Sequence, residues 1–505
     1  MSATTTFILF IAFPLVASPI VYIIGRLFYR ADSNHVGKNP ARWLALLALL
    51  GSAIFLVLTA KSVFESGQAL YYTMGDVVLR FDGISLLLAA LALTLGILVT
   101  IYSFSYMDRE EGEEKFYALL IAMVGAISGL GCAVDLFNLW VWFELMAVTS
   151  ILLVAFYKNQ PGSLEAGVKY LVQSAVGSIF VMLGIALVFL QVGTLNLESI
   201  RISVTQPTPL LLVGGAFLVI GFGVKTALAP LHTWLPDAHS QAPSGISAML
   251  SGVVIEAGLI ALLRAIGGLA LGSTRWGYLL LGFAVINMLV GNLMALRQRE
   301  VKRILAYSSI SHVGYMLLGF GIMISFGSYL GGIGASFHII THGLMKSLAF
   351  LAAGALLYNL KIAHGDHSQL TVDDINGASK KYPLTVFAFS VAVLGLGGLP
   401  PLAGFMSKWQ IFVAGAVTQN AWIIALVVFA GLNSVLSLGY YAPLVNRMYR
   451  KNPSEIIKNG KPVSIWMYIP MVILTLSVII LGVLPSLLYW MTVPACSSLF
   501  MFFTK

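Results

Sequence analysis

The sequence predicts an all-α polytopic membrane protein of about fourteen transmembrane helices. Two observations carry that expectation. Of the 505 residues, 59% are hydrophobic and only 10% charged, with a mean hydropathy of +0.91. Soluble domains are about half apolar and about a quarter charged. The apolar residues also come in stretches of about 20, the length at which a helix crosses the hydrocarbon core. No water-soluble fold could bury that much apolar surface, so most of the chain is solvated by lipid.

In chain order the stretches lie near 6–25, 43–60, 84–106, 115–133, 135–157, 165–191, 209–228, 243–268, 277–296, 304–323, 328–358, 383–415, 421–446 and 466–492. The first is read as a retained helix, because no small-residue cleavage site follows it. Loops from odd to even spans gather Arg26, Arg30, Lys38 and Arg42, then Arg297, Arg299, Lys302 and Arg303. Later come Lys361, Lys380 and Lys381, then Arg447, Arg450, Lys451, Lys458 and Lys461. The opposite loops hold far fewer, such as Lys61, Arg201 and Arg275. Lys and Arg collect on the cytoplasmic side, which puts the first set inside and both termini outside. The acidic loop 108–114 then lies inside, where acids count little. This bias accounts for the net charge of +9 without a nucleic-acid partner. Residues 70–82 alternate in polarity and predict a short outer β-hairpin. The whole chain, 1–505, reads as one membrane domain with no soluble module. It divides into N-terminal helices over 1–114, five-span units over 115–268 and 277–446, and a C-terminal helix over 466–492. Five is odd, so the second unit enters from the opposite side, as an inverted repeat requires.

An ionisable residue within a span costs about 2.5–3.5 kcal/mol on insertion scales, so each needs a reason. Glu144 lies in the middle of FNLWVWFELMAV, either as a structural carboxylate or as a proton acceptor in a low-dielectric site. Lys169 is near the inner end of its span and could equally snorkel to the interface. Lys225 is followed by Pro230 and Pro236, which break a helix by removing backbone donors. Unwound backbone at membrane depth is tolerated only inside protein or beside water, so Lys225 with His232, Asp237 and His239 suggests a hydrated ion site. The blander reading has both histidines hydrogen-bonded in a loop. Glu256, in the next span, could pair with Lys225. His338, His342 and Lys346 fall at i, i+4 and i+8, on one helix face. One such histidine is often only a core residue, but three ionisable groups on one stripe suggest proton transfer near neutral pH. A metal reading lacks an acidic or sulfur partner nearby. Lys408 follows Gly395, Gly397, Gly398, Pro400 and Pro401, a second broken helix close to a lysine. Paired interrupted spans in two halves point to a transport site. The two cysteines, Cys132 and Cys496, form no ligand motif, and there is no CxxC or P-loop, so any electrons run through another chain.

KTALAPLHTWLPDAHSQAPSGISAMLSG, WFELM, AYSSISHVGYM (306–316) and GLPPLAGFMSKW resemble the antiporter-like subunits of respiratory complex I and of Mrp-type Na+/H+ antiporters. The similarity covers nearly the whole chain. It implies fourteen helices with two inverted five-helix repeats, each containing a broken helix. It also matches Glu144 and Lys225 to a paired glutamate and lysine in the first half-channel. By the same resemblance His338, His342 and Lys346 fall on the central connecting helix, and Lys408 in the second half-channel. Position 256 departs, since many relatives have lysine there. The long C-terminal arm of the largest relatives is not expected after 492. SQAPSGISAMLSGVVIEAGLIALLR is similar, more narrowly, to the antiporter-like subunit of energy-converting membrane-bound nickel–iron hydrogenases. The resemblance implies translocation of protons or Na+ in a prokaryotic plasma membrane, driven by electron transfer elsewhere. Implied partners are lipid, other antiporter-like or Mrp-type membrane chains, and a hydrogenase/ferredoxin or NADH-linked peripheral module. No cofactor is expected in this chain, and a nickel–iron centre, iron–sulfur clusters or quinone are expected in the partners. A stand-alone antiporter, a quinone-binding subunit and an inert membrane scaffold remain as alternatives.

Overall fold

The computed structural model describes residues 2–31, 39–75, 77–108, 110–204, 206, 208–270 and 273–503. Three helices open it: α1 (Ala3–Ala31), α2 (Ala41–Ser66) and α3 (Gly83–Tyr106). The next group comprises α4 (Glu113–Cys132), α5 (Leu136–Val154), α6 (Pro161–Val192), the short α7 (Leu197–Ser203), α8 (Pro209–Lys225), α9 (Trp234–Gln241) and α10 (Ser244–Gly268). The following group comprises α11 (Arg275–Ala295), α12 (Val301–Phe326), α13 (Tyr329–Leu360), α14 (Pro383–Gly397), α15 (Ala403–Val417) and α16 (Ala421–Arg450). The short α17 (Glu455–Asn459), then α18 (Ile465–Val483) and α19 (Tyr489–Phe503), close the chain. Between α2 and α3 the predicted hairpin forms, with β1 (Leu70–Met74) antiparallel to β2 (Val77–Phe81) and Leu70 opposite Phe81. Asp76 and Lys38 lie outside the described residues.

Thirteen helical stretches among the described residues are long and apolar enough to cross a membrane. The last of these, Pro485–Phe503, does not add a crossing. Its hydrogen bonds join the ends of other helices on the side opposite the basic loops. Ser498 Oγ accepts from Gly83 N at 3.0 Å, Met501 O from Arg201 at 2.8 Å, and Val493 O from Tyr329 Oη at 3.0 Å. α19 therefore lies across that surface as a roof, and the expected span 466–492 is corrected to a helix that stops at Val483, before Pro485. α8 and α14 are too short alone, and each is the first half of a broken span that α9 or α15 continues. With α19 set aside and the two broken spans included, fourteen crossings remain.

The centre is formed by α10 and α13, whose apolar windows are wholly buried. They approach at glycines: a Cβ on Gly343 would lie 2.5 Å from the Gly252 carbonyl oxygen, so no larger residue fits without a shift. A π-turn at Leu250–Val254 resets the face of α10 just before Glu256. Such insertions are rare and recur at functional sites.

One buried ion cluster ties the roofed side together. Asp82 caps α3, with Oδ1 accepting from Ser85 N at 3.0 Å. The same carboxylate meets Arg80 of β2 at 2.7 Å and the fully buried Arg264 of α10 at 2.9 Å. Arg264 also donates to Ala133 O at 2.7 Å, and Arg80 to Glu198 of α7. Burial pushes the Asp82 carboxyl up, but the charges of Arg264 and Arg80 and the Ser85 hydrogen bonds outweigh it and hold it below its ordinary range. Its stabilisation is therefore complete above about pH 4 and fades as pH falls through the lowered value. Asp82→Asn strands two buried guanidinium groups and is expected to cost about 3–5 kcal/mol in unfolding. Unfolding measured in detergent from pH 7 downward should show the wild-type advantage over Asp82→Asn shrinking with acid, and a constant advantage would refute this role.

Candidate functional site

Lys225 ends α8 and is fully buried. Its Nζ donates to Ser150 Oγ of α5 at 3.3 Å and to the Tyr170 hydroxyl of α6. Ser150 and Tyr170 are themselves joined at 2.9 Å. Nζ lies 4.2 Å from the centroid of the Tyr170 ring, which stacks on Trp234 of α9 at 4.0 Å. Trp234 Nε1 in turn donates to Val224 O at 2.8 Å. One aromatic pair thus supports both the ammonium and the end of α8. The break that follows is sealed by Asn287 of α11, whose side chain accepts from Ala229 N at 2.9 Å and donates to Ala227 O at 3.2 Å. Glu144 is half-buried, close enough for its charge to act on Lys225, with no direct ion pair between them. Its Oε1 is buried and has no hydrogen-bond partner.

The expected Lys225–Glu256 pair is not formed. Glu256 points at α13 instead, with Oε1 2.7 Å from His342 Nδ1, both side chains fully buried. The His342 ring lies 5.1 Å from that of His312 on α12. His312 Nδ1 is 3.1 Å from His338 Nε2, and His338 Nδ1 is 2.7 Å from Ser407 Oγ on α15. The next residue, Lys408, donates to Leu396 O at 2.7 Å and to Ser434 Oγ at 2.8 Å, 4.7 Å from the Tyr315 ring centroid. Leu396 O is available because Pro400, four residues on, has no N–H to close the helical turn. A line therefore runs Glu256–His342–His312–His338–Ser407–Lys408 through four helices. Two steps lack a direct hydrogen bond: His342 to His312, where His342 Nε2 has no partner, and Ser407 to its chain neighbour Lys408, whose ammonium bonds Leu396 O and Ser434.

Lys346 is off this line. Its ammonium donates to Leu305 O at 2.7 Å and to the Ser308 hydroxyl, both on α12. The two broken spans are also not matched in register: Lys225 precedes its break, whereas Lys408 follows its break and reaches back to it. Lys169 is exposed, bridging Glu165 at 2.7 Å and Asp237 at 3.0 Å, so the snorkelling alternative describes it. Asp237 also binds Arg303 at 2.5 Å and belongs to the same interfacial network. His232 is at the margin of the interior beside Tyr307. His239 is fully buried, stacked on Phe350 at 4.6 Å with neither ring nitrogen hydrogen-bonded. Among the described residues no three His, Cys, Asp or Glu side chains gather to hold a metal ion.

Sequence reasoning missed several members of this arrangement, among them His312, Ser407, Tyr170 and Asn287. His312 lay within the quoted AYSSISHVGYM, but a lone histidine on a helix shows no stripe. The others are polar residues whose partners are far away in sequence.

Residues 133–437 match the family model described as NADH:quinone oxidoreductase/Mrp antiporter, transmembrane region, and residues 74–117 match that for the N-terminus of complex I chain 5. Subunit N of the F420H2 dehydrogenase of Methanosarcina mazei is 33% identical over 453 residues, covering 87% of this chain and 88% of that one. NADH-quinone oxidoreductase subunit N of Desulforudis audaxviator is 30% identical over 464 residues, covering 87% and 89%. Among solved structures, a chain of the membrane-bound sulfane sulfur reductase, an archaeal respiratory membrane complex, superposes with a TM-score of 0.87 at 27% identity, covering 99% of this chain and 98% of that one.

Removing the Tyr170 hydroxyl leaves the buried Lys225 ammonium with one hydroxyl in place of two. Tyr170→Phe is expected to destabilise the protein by about 1–3 kcal/mol. Thermal unfolding of the purified variant in detergent checks it, and an unchanged midpoint would show that the bond contributes nothing.

Proposed function

The chain belongs to the NADH:quinone oxidoreductase/Mrp antiporter family, and on that premise we propose that it carries protons across a prokaryotic plasma membrane as the antiporter-like subunit of a redox-driven complex. The observation that supports this best is the buried line from Glu256 to Lys408. A neutral imidazole accepts a proton on one ring nitrogen and releases one from the other. Three imidazoles in succession, ending on a serine hydroxyl beside a lysine, can pass a proton along without moving the backbone. Water in the two gaps, between His342 and His312 and between Ser407 and Lys408, completes the connection. Glu256 Oε2, buried and without a hydrogen-bond partner, is the acceptor at the entry end.

Glu144 and Lys225 set the entry. A charged carboxylate nearby favours the protonated lysine, and neutralising it favours release. The Tyr170–Ser150 pair gives the ammonium neutral partners in both states. Lys225 Cβ lies against Gly258 of α10, the helix that carries Glu256, but Nζ faces Ser150 and Tyr170 and Glu256 faces α13, so water must carry a released proton between them. Moving one charge against 100 mV needs about 2.3 kcal/mol, within reach of a single electrostatic change at Glu144. All these groups titrate as one coupled set. Na+ is the second ion to consider, since unwound backbone carbonyls bind it in other transporters. At the second break, however, the Leu396 carbonyl is already taken by Lys408.

The driving reaction belongs to partner chains. The relatives are subunits of an F420H2 dehydrogenase and of NADH-quinone oxidoreductases, which supports a peripheral module that oxidises a reduced carrier. The nickel–iron centre, iron–sulfur clusters or quinone of such a module reside outside this chain. A hydrogenase module is the narrower version, supported by the wording around Glu256.

Lys225→Ala, Lys408→Ala and His312→Phe, each in the assembled complex in sealed vesicles, are expected to slow redox-driven proton uptake by roughly tenfold or more. A pH-sensitive dye reports uptake while electron transfer is followed in parallel. Undiminished uptake in both lysine variants would sink the proposal. Wild-type uptake in His312→Phe alone would remove that histidine from the line.

A further inference from the structure

One buried cluster on the side of the basic loops takes no part in the line described above. His239, near the inner end of α9, is fully buried and stacks on Phe350 of α13 at 4.6 Å. Neither of its ring nitrogens has a protein partner. A buried polar group left unpaired costs about 1–3 kcal/mol, and polar interiors meet that cost with bound water.

Two lysines flank the ring. Lys302, in the first turn of α12, is buried and donates to Ala242 O at 2.5 Å, three residues beyond His239. Lys346 is one turn from Phe350 on α13 and donates to Leu305 O, one turn beyond Lys302 on α12. The charges of both lysines act on the imidazole. Outward from Lys302, Glu300 is at the solvent edge, with Oε2 on Arg303 at 3.1 Å and Oε1 buried without a partner. Its charge acts on Lys302. Inward, His342, Lys346 and Phe350 recur every four residues and share one face of α13. Eight residues at about 1.5 Å each put His342 about 12 Å deeper than Phe350. Packing alone does not account for this set. A phenylalanine would fill the same slot beside Phe350 with no unpaired nitrogen, and each ammonium taken out of water costs several kcal/mol.

We propose that Lys302, His239 and Lys346 form a second proton intake, which runs from the basic side and joins the line at His342. Lys302 gives a proton through water to one nitrogen of His239 and is reloaded from solvent beside Glu300. The ring releases a proton from its other nitrogen toward Lys346, and Lys346 passes one to His342. Each group ends as it began, and one proton has moved inward. This assigns a role to Lys346, and it rests on the translocation reading above.

The test uses the assembled complex in inside-out vesicles, whose basic side faces the medium. An internal pH-sensitive dye follows uptake while electron transfer is measured. His239→Phe keeps the ring stack and removes both nitrogens, and Lys302→Met keeps the apolar stem. Each is expected to slow uptake by roughly tenfold or more. An intake starved of protons speeds up with proton concentration on its own side. Acidifying the medium should therefore restore much of the loss, and acidifying the vesicle interior should restore none. A packing defect has no such sidedness. Wild-type uptake in both variants overturns the intake, as does a loss that acid in the medium fails to restore. If His239→Phe does not assemble, His239→Gln, which can hydrogen-bond but cannot relay a proton, is read in the same way. Lys225→Ala and Lys408→Ala are measured alongside. If they stop uptake while His239→Phe and Lys302→Met pump as the wild type does, the intake alone falls. If all four pump unchanged, the translocation reading falls with it.

Discussion

α13 takes two histidines and a lysine through the middle of a protein whose surroundings are lipid and close-packed side chains. None of them can be satisfied by bulk water, so each must find a partner on another helix. That requirement fixes the neighbours. His342 requires Glu256, which requires α10 at glycine distance through Gly252 and Gly343. His338 requires His312 and Ser407, which brings α12 and α15 to the same place. Lys346 requires Leu305 O and Ser308, again on α12. The core around α13 is arranged around these bonds, with apolar packing filling what remains.

The broken helices meet a related demand in two different ways. Each break frees backbone groups that lipid cannot solvate. At the first, Asn287 and Trp234 take up the freed groups, which leaves Lys225 with two hydroxyls and an aromatic face. At the second, Lys408 itself takes up the freed Leu396 carbonyl. The first lysine is therefore beside its break, whereas the second is part of the repair. Both breaks separate a short helix from its continuation, α8 from α9 and α14 from α15. The residues that complete them differ. A proton on Lys408 is held by a bond that also closes the backbone, so its loss bears directly on α14 and α15.

Charge is also sorted by depth. Toward the basic side, Lys169, Asp237 and Arg303 form exposed or half-exposed pairs that water can screen. On the roofed side, Asp82, Arg80 and Arg264 form a buried cluster that pins the hairpin, α3 and α10. Between them lies the sparse line of single ionisable groups, each with few bonds. Dense, mutually neutralising clusters hold the structure. The groups at membrane depth have fewer partners and so can change protonation at smaller cost.

The sequence by itself determined the membrane class, the helix count, the basic side and most of the ionisable residues of the buried line. Those properties follow from composition and local spacing: apolar runs of about 20 residues, lysine and arginine in alternate loops, histidines four apart, prolines beside a lysine. The hairpin was legible in the alternation of 70–82 for the same reason. Only the tertiary structure decided which of those residues meet. Glu256 faces His342 and not Lys225, Lys346 is off the line, Lys169 is at the surface, and the 466–492 stretch ends early and is followed by a roof. His312 enters the line only because α12 packs against α13, a contact without any signal along the chain. Periodicity within a helix reports which face a residue is on. Which helix that face meets is set by close packing between distant segments, and a single sequence carries no local trace of it.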